Sequence, residues 1–593
     1  MAAARFTGSF SFLLRSWGSA SLHPRLYAAT RSAGSKEPMT ERIEIYDTTL
    51  RDGSQGEGVN FSVADKCRVA EQLDAFGVDF IEGGWPGSNP RDMAFFERAR
   101  ALKLTHARVA AFGSTRRHTL TCDDDPSIQS LLKAETSVVT IFGKSWLLHV
   151  TDALRLNPEE NLEIIEDTVR YLSARVACLV YDAEHFFDGY KTDPEYALAT
   201  LRAAAAGGPH RIVLCDTNGG SLPETVARVT REVIEQIEVP LGIHCHNDGE
   251  LAVANTLAAV SAGAVHVQGT INGYGERCGN ANLCAVIPNL ELKLGLVVLG
   301  PERLTRLRET SRFVSEIANL ALDSRAAFVG DSAFAHKGGV HVSAVERNPV
   351  TYEHIAPETV GNRRRILVSD LAGRANLLAK ARELGVELND EQRVLDELKR
   401  LEHNGYEFEA AEASFELLVS KLRGSHQPYF ELLGFRVIDE HRGALMPMSE
   451  ATVKVKVGKR VEHTAASGNG PVNALDNALR CALQTFYPSL AEMHLVDYKV
   501  RVITSNLSGS ASLVRVLICS GDAGAQWGTV GVSANIVEAS WRALVDSVEY
   551  KLARDGVAPI FGGQDIDSAS SANESPSESL GDSPIKSLKE AIS

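Results

Sequence analysis

The chain has 593 residues, 44% apolar and 23% charged, with a formal net charge of −15; its length suits two or three domains of ordinary globular composition. The acidic balance, with no basic run, excludes a general nucleic-acid binder, and no apolar stretch approaches the roughly 18–20 residues of a membrane span. The 9 cysteines are scattered, with no CxxC pair, which fits a reducing compartment and thiols used as small core residues.

Residues 1–37 carry Arg5, Arg15, Arg25 and Arg31, many Ser and Ala, and no acid before Glu37. Such a segment reads as a transit peptide. The Arg spacing around Phe10–Leu14 and Leu22–Leu26 favours the mitochondrial matrix over the plastid. From residue 42 to about 295 a short apolar strand followed by an amphipathic helical stretch recurs eight times. The strands begin at Ile43, Val78, Val109, Val138, Ala177, Ile212, Leu241 and Val265. A spacing of about 30 residues is one βα unit, so residues 38–300 are expected to form an α/β domain, a (β/α)8 TIM barrel. A doubly wound sheet is the alternative, but no Gly-rich fingerprint follows the first strand.

In a barrel the chemistry lies where the strands end. The first strand runs into Asp47-Thr48-Thr49-Leu50-Arg51-Asp52-Gly53-Ser54-Gln55 and the second into Glu82-Gly83-Gly84-Trp85. The fourth ends in Phe142-Gly143-Lys144-Ser145, the fifth in Asp182-Ala183-Glu184-His185, and the sixth in Asp216-Thr217-Asn218-Gly219. The seventh carries His244-Cys245-His246-Asn247-Asp248. Alternation puts His244 and His246 on one face with Cys245 on the other; two imidazoles and a carboxylate from elsewhere make an N/O site for a divalent metal. The eighth leads into Gly273-Tyr274-Gly275-Glu276-Arg277-Cys278-Gly279-Asn280.

Residues 301–410 read as a helical linker subdomain containing Ala335-His336-Lys337-Gly338-Gly339-Val340-His341 and Tyr352. Residues 411–556 turn Val-rich and repeat internally: Thr464, Val472, Ala474, Ala478 and Leu479 line up with Thr529, Val537, Ala539, Ala543 and Leu544. Two related α+β halves suggest a regulatory or dimerisation domain rather than a second catalytic one. The loops holding Gly468, Gly470 and Pro471, and Ser533 and Asn535, each run into a helix start, where free N–H groups can hold a carboxylate. Residues 557–593 are Ser/Asp/Glu-rich and read as a disordered tail.

These motifs resemble the acyl-transferring branch of the metal-dependent barrel lyases, the 2-isopropylmalate, homocitrate and citramalate synthases. Asp47–Gln55, His244–Asp248 and Gly273–Asn280 carry the likeness, and Ile81–Pro90 looks like the long citramalate synthases. The resemblance implies that Asp52, His244, His246 and Asn280 bind a divalent cation, Mg²⁺, Mn²⁺ or Zn²⁺. It implies that Arg51 stabilises a developing alkoxide, that Arg51, Gln55 and Thr217 bind the oxo acid, and that Glu184, His341 and Tyr352 serve acid–base chemistry, the last two in the family often reaching over from the partner subunit. The reaction implied is condensation of acetyl-CoA, the co-substrate, with pyruvate, giving (R)-citramalate for isoleucine biosynthesis. A homodimer with isoleucine as effector is implied too. One departure bears on specificity: Val139 stands where isopropylmalate synthases carry a histidine, which argues against 2-oxoisovalerate. Isopropylmalate synthase is the second enzymatic reading. An inactive barrel with an amino-acid-sensing module is the non-enzymatic one.

Overall fold

The structure, a computed structural model, describes residues 42–367, 374–383, 390–440, 448–503 and 512–560; the expected transit peptide lies outside them, as does all but the start of the expected tail.

Eight parallel strands close a barrel in sequence order: β1 (Glu44–Asp47), β2 (Phe80–Gly84), β3 (Arg108–Ser114), β4 (Val138–Lys144), β5 (Cys178–Glu184), β6 (Arg211–Asp216), β7 (Leu241–Cys245) and β8 (His266–Gly269). The TIM-barrel expectation is borne out, because β-branched runs alternate with well-capped helices. Ser62 and Asp65 form a capping box at the helix Val63–Phe76, and Asn157 and Glu160 form another at Pro158–Ser173; each satisfies two otherwise orphaned N–H donors. Side-chain parity then sorts each strand. Outward residues such as Val139 and Ile141 join the large core under the helices. Inward residues Tyr46, Phe80, Ala110, Val138, Cys178, Val180, Val213 and Cys215 form a separate buried cluster. One glycine is required here: a Cβ on Gly242 would lie 2.9 Å from the His266 ring, which fills the space inside β7.

Beyond the barrel, the short strands β9 (Ala335–His336) and β10 (Arg365–Ile366) pair in a helical subdomain. The C-terminal domain has two antiparallel three-stranded sheets. One is β11 (Glu431–Glu440), β12 (Met448–Val457) and β13 (Arg460–Gly468), followed by the helix Pro471–Gln484. The other is β14 (His494–Ile503), β15 (Leu513–Gly521) and β16 (Gln526–Ser533), followed by the helix Ile536–Arg554. The internal repeat is visible in single bonds. Thr464 Oγ1 donates to Ala478 O at 2.9 Å, and Thr529 Oγ1 to Ala543 O at 2.8 Å, so the matched threonines tie strand to helix alike in both halves. Strand β12 buries Ala451, Val453, Val455 and Val457 against the helices, while β11, β13 and β14 leave Leu433, Val461, Val500 and Val502 exposed. Among the described residues no helix is long and apolar enough to cross a membrane.

Candidate active site

Above the apolar layer inside the barrel lies a polar one. Glu82, fully buried, accepts bonds from Tyr46 Oη (2.7 Å) and Arg51 Nε (2.6 Å) and from the Thr48 hydroxyl. Tyr46 Oη also bonds Thr140 Oγ1 at 2.7 Å. The Arg51 guanidinium is thereby held in place, with its carbon 3.7 Å above the centre of the Phe112 ring. A flat group that stacks on a ring while its Nε meets a carboxylate suits arginine and would not suit lysine. Burial opposes the charge on Arg51, but Glu82 and Asp52 outweigh it and raise its pKa further.

Asp52 follows at the turn after β1 and meets the two histidines of β7. Its Oδ2 lies 3.4 Å from His244 Nε2 and 3.8 Å from His246 Nε2. All three residues are buried, and among the described residues they are the one group whose donor atoms cluster closely enough to hold a metal ion. Burial pushes the Asp52 carboxyl up, yet Arg51 foremost holds it at about 2. Burial pushes His246 down to about 3, and His244 is lowered by the same cause. An ionised carboxylate beside two neutral imidazoles is the protonation state in which these groups ligate a metal. His244 Nδ1 lies 3.0 Å from Gln268 Oε1, a bond that leaves Nε2 free towards Asp52. Asn280 Nδ2 donates to Asp52 Oδ2 at 2.9 Å, while Asn280 Oδ1 is buried with no hydrogen-bond partner among the described residues. A buried oxygen without a partner beside this cluster fits a further metal donor. Its loop depends on glycine: Gly279 has φ +87°, and a Cβ there would lie 1.9 Å from Gly273 O.

These groups open on a cavity of about 210 Å³ that gathers Arg51, Asp52, Gln55, Glu184, Thr217, His244 and His246. Trp85, Phe112 and Phe142 form one wall, with ring centroids 5.5–5.8 Å apart. Thr217 Oγ1 accepts from His185 N at 2.8 Å, so its hydroxyl proton remains available. Glu184 pairs with Lys144. Arg277 spans the rim, bonding Asp248 (2.7 and 3.0 Å) and Thr217 O (2.7 Å).

Other residues expected at the site lie elsewhere. His341 and Tyr352 stack on each other at 4.2 Å and are exposed, and neither lines this cavity. Val139, expected to bear on the oxo acid, instead packs outward under the helices and cannot touch it. Of the two helix starts in the C-terminal domain, Gly470 before Pro471 offers no side-chain cap, whereas Asn535 Oδ1 bonds Val537 N (2.8 Å) and Glu538 N (3.3 Å). The second start is therefore closed by its own cap. The sequence placed Glu82, Asp182 and Arg277 in strand-end motifs without a role for any of them, and nothing in it pointed to Gln268. Inward parity with Glu184 was a signal for Asp182; the charge and strand-end position of Glu82 were another.

Residues 42–314 match the HMGL-like family, residues 328–405 the homocitrate synthase post-HMGL domain-like family, and residues 409–552 the LeuA allosteric (dimerisation) domain. A protein of Geobacter sulfurreducens described as (R)-citramalate synthase is 58% identical over 515 residues, 86% of this chain and 97% of that one. One of Aquifex aeolicus with the same description is 56% identical over 87% of this chain and 99% of that one. A probable 2-isopropylmalate synthase of Methanopyrus kandleri is more distant, at 34% identity over 87% and 99%. Five relatives described as (R)-citramalate synthase, 45–58% identical, come from bacteria and an archaeon, cells without mitochondria or plastids. That overturns the organelle-matrix location and argues against a transit peptide.

Proposed function

The chain belongs to the (R)-citramalate synthase family, and we propose that it condenses acetyl-CoA with pyruvate and hydrolyses the thioester, giving (R)-citramalate and CoA. The observation that carries this reading is the set Asp52, His244 and His246 beside a fixed Arg51 in one small, aromatic-walled cavity. These three residues and Asn280 would hold a divalent cation, Mg²⁺, Mn²⁺ or Zn²⁺, which when bound would supply Lewis-acid polarisation of a carbonyl.

The chain's own residues do the rest. The Thr217 hydroxyl and Gln55 bind the oxo-acid carboxylate, and Arg51 faces the oxo oxygen, where charge develops as the acetyl enolate adds. A donor already fixed by Glu82 and Phe112 needs no reorganisation at that moment. Glu184 lies at the rim, where the acetyl thioester must enter, and serves the acid–base steps. His341 and Tyr352 of a second copy complete the set. Their exposure on this chain, the LeuA dimerisation domain and the exposed apolar residues of β11, β13 and β14 support a homodimer. The pathway's amino-acid end product, isoleucine, acts as effector between the C-terminal modules, its carboxylate at the uncapped start of Pro471–Gln484. The effector reading requires that titration with isoleucine, and not leucine, inhibit the full chain.

The substrate reading is tested by thiol release from acetyl-CoA with pyruvate, 2-oxoisovalerate and 2-oxoglutarate in turn. Pyruvate is expected to give the highest kcat/KM. A preference for 2-oxoisovalerate would make the chain an isopropylmalate synthase, and no release with any acid would leave the inactive-barrel reading.

A further inference from the structure

The floor of the cavity holds a carboxyl group that no step above uses. Asp182 lies on β5 two residues before Glu184, faces into the barrel and lines the cavity, although only 4% of it is exposed. We propose that Asp182 is a further catalytic residue, aimed by Gln268, that donates a hydrogen bond to the 2-oxo oxygen as it becomes an alkoxide. The inference rests on the condensation reading above.

A chain of bonds fixes its direction. His244 turns Nε2 towards Asp52, so its ring proton sits on Nδ1 and is given to Gln268 Oε1 at 3.0 Å. That orients the Gln268 amide, whose Nε2 donates to Asp182 Oδ1 at 2.9 Å. With Oδ1 committed as an acceptor, Oδ2 is the oxygen left over. It has no hydrogen-bond partner among the described residues, and its carboxyl lines the cavity. Ionised, it would add a third carboxylate to buried Glu82 and Asp52 around the single Arg51 guanidinium. Burial first and Glu82 second push Asp182 well above the usual carboxylate range, with Arg51 opposing. A carboxyl group kept neutral in a dry site is a hydrogen-bond donor, and a donor placed where oxyanion charge develops contributes more in the transition state than in the ground state. Arg51, reaching in from the end of β1, and Asp182, on β5, therefore supply the oxyanion with one charged and one neutral donor.

Asp182→Asn and Asp182→Ala separate this role from the alternatives. In the Asn variant the amide oxygen keeps the Gln268 bond and the NH₂ group replaces the O–H towards the cavity. Expected for Asn is a kcat within about tenfold of wild type; expected for Ala is a loss of roughly 10²–10³ in kcat with the oxo-acid KM changed by less than about threefold. Mn²⁺ affinity by calorimetry and thermal unfolding should stay at wild-type values for both, which a merely structural role would not allow. An Asn variant as slow as Ala would mean a charged base and overturn the proposal. So would an Ala variant within a few-fold of wild type, or a loss confined to KM. The oxo acid used is whichever the wild type turns over best. If that acid is not pyruvate, the substrate reading fails while the Asn/Ala contrast still judges Asp182; a wild type that turns over none overturns both.

Discussion

Replacing Glu82 by Gln or by Ala separates what its charge does from what its acceptor oxygens do. Its Oε2 accepts from Thr48 and Arg51 and its Oε1 from Tyr46, whose hydroxyl also reaches Thr140. In Glu82→Gln the amide oxygen can keep both Oε2 bonds. The amide NH₂ can donate to Tyr46 Oη, which then turns its proton to Thr140. Thr140, which donates to Tyr46 Oη in the wild type, must then turn its own proton away, so two hydroxyls rotate while Arg51 stays on Phe112. What is lost is the charge on the Arg51 bond, the difference between about 1.5–3 kcal/mol for a charge-assisted bond and about 1 for a neutral one. That difference of about 0.5–2 kcal/mol belongs to the folded protein and should appear in unfolding, while kcat, with Arg51 still aimed, should stay within about tenfold of wild type. Glu82→Ala leaves the Thr48 hydroxyl and the Arg51 Nε buried without an acceptor and breaks a buried ion pair, which costs about 3–5 kcal/mol of stability. With Arg51 no longer aimed, kcat should drop by roughly 10²–10³. Thiol release from acetyl-CoA gives the rates and urea unfolding gives the stabilities. An Ala variant of wild-type stability and near-wild-type rate would refute the claim that Glu82 aims Arg51. A Gln variant as impaired as Ala would show that the charge, not the geometry, is what matters.

Arg51→Lys keeps a positive charge but loses the planar fork between Glu82 and Phe112, and should lower kcat by roughly 10²–10³; a rate within a few-fold of wild type would remove Arg51 from its role. His246→Ala should abolish thiol release and Mn²⁺ binding by calorimetry while circular dichroism stays native, because its Nδ1 makes no hydrogen bond to the fold. Matched loss of fold and activity would indicate a structural site instead. Glu44, between β1 and the Arg211 and His266 side chains, is pushed up by burial but drawn down by those two from 4.5 to about 2. A carboxylate with a depressed folded pKa adds stability above its unfolded pKa and loses it as pH falls through the folded one. Glu44→Gln should thus cost about 1–2 kcal/mol at pH 7, after discounting for partial exposure, with the difference from wild type vanishing near pH 2 in urea unfolding.

The barrel was legible because its strands are short β-branched runs at a regular interval, and the metal triad because His244 and His246 share a face by simple alternation. The same rule, carried to β4, turns Val139 outward and Thr140 inward, so Val139 is not a pocket residue even though the substrate preference drawn from it agrees with the relatives. Glu82, Asp182 and Gln268 were harder. Each sits on a strand among apolar neighbours, and its meaning comes from partners on other strands: Tyr46 and Arg51 for Glu82, and His244 joined to Asp182 through Gln268. His341 and Tyr352 carry the opposite lesson: their motif is plain in the sequence, yet neither lines the cavity of this chain. The contrast between Gly470 and Asn535 was readable in principle, because asparagine at a helix start caps it with its own side chain.

The most direct test of the condensation follows the carbon–carbon bond itself. Protein stripped of metal and then restored with Mg²⁺ or Mn²⁺ is given acetyl-CoA labelled with ¹³C at the acetyl methyl, together with pyruvate, and the products are read by NMR. The expected product is citramalate carrying the label in its new methylene, formed with one equivalent of free CoA, only after metal is restored and not by the His244→Ala variant. Free CoA with labelled acetate and no citramalate, or equal citramalate formation by the stripped protein, would contradict it.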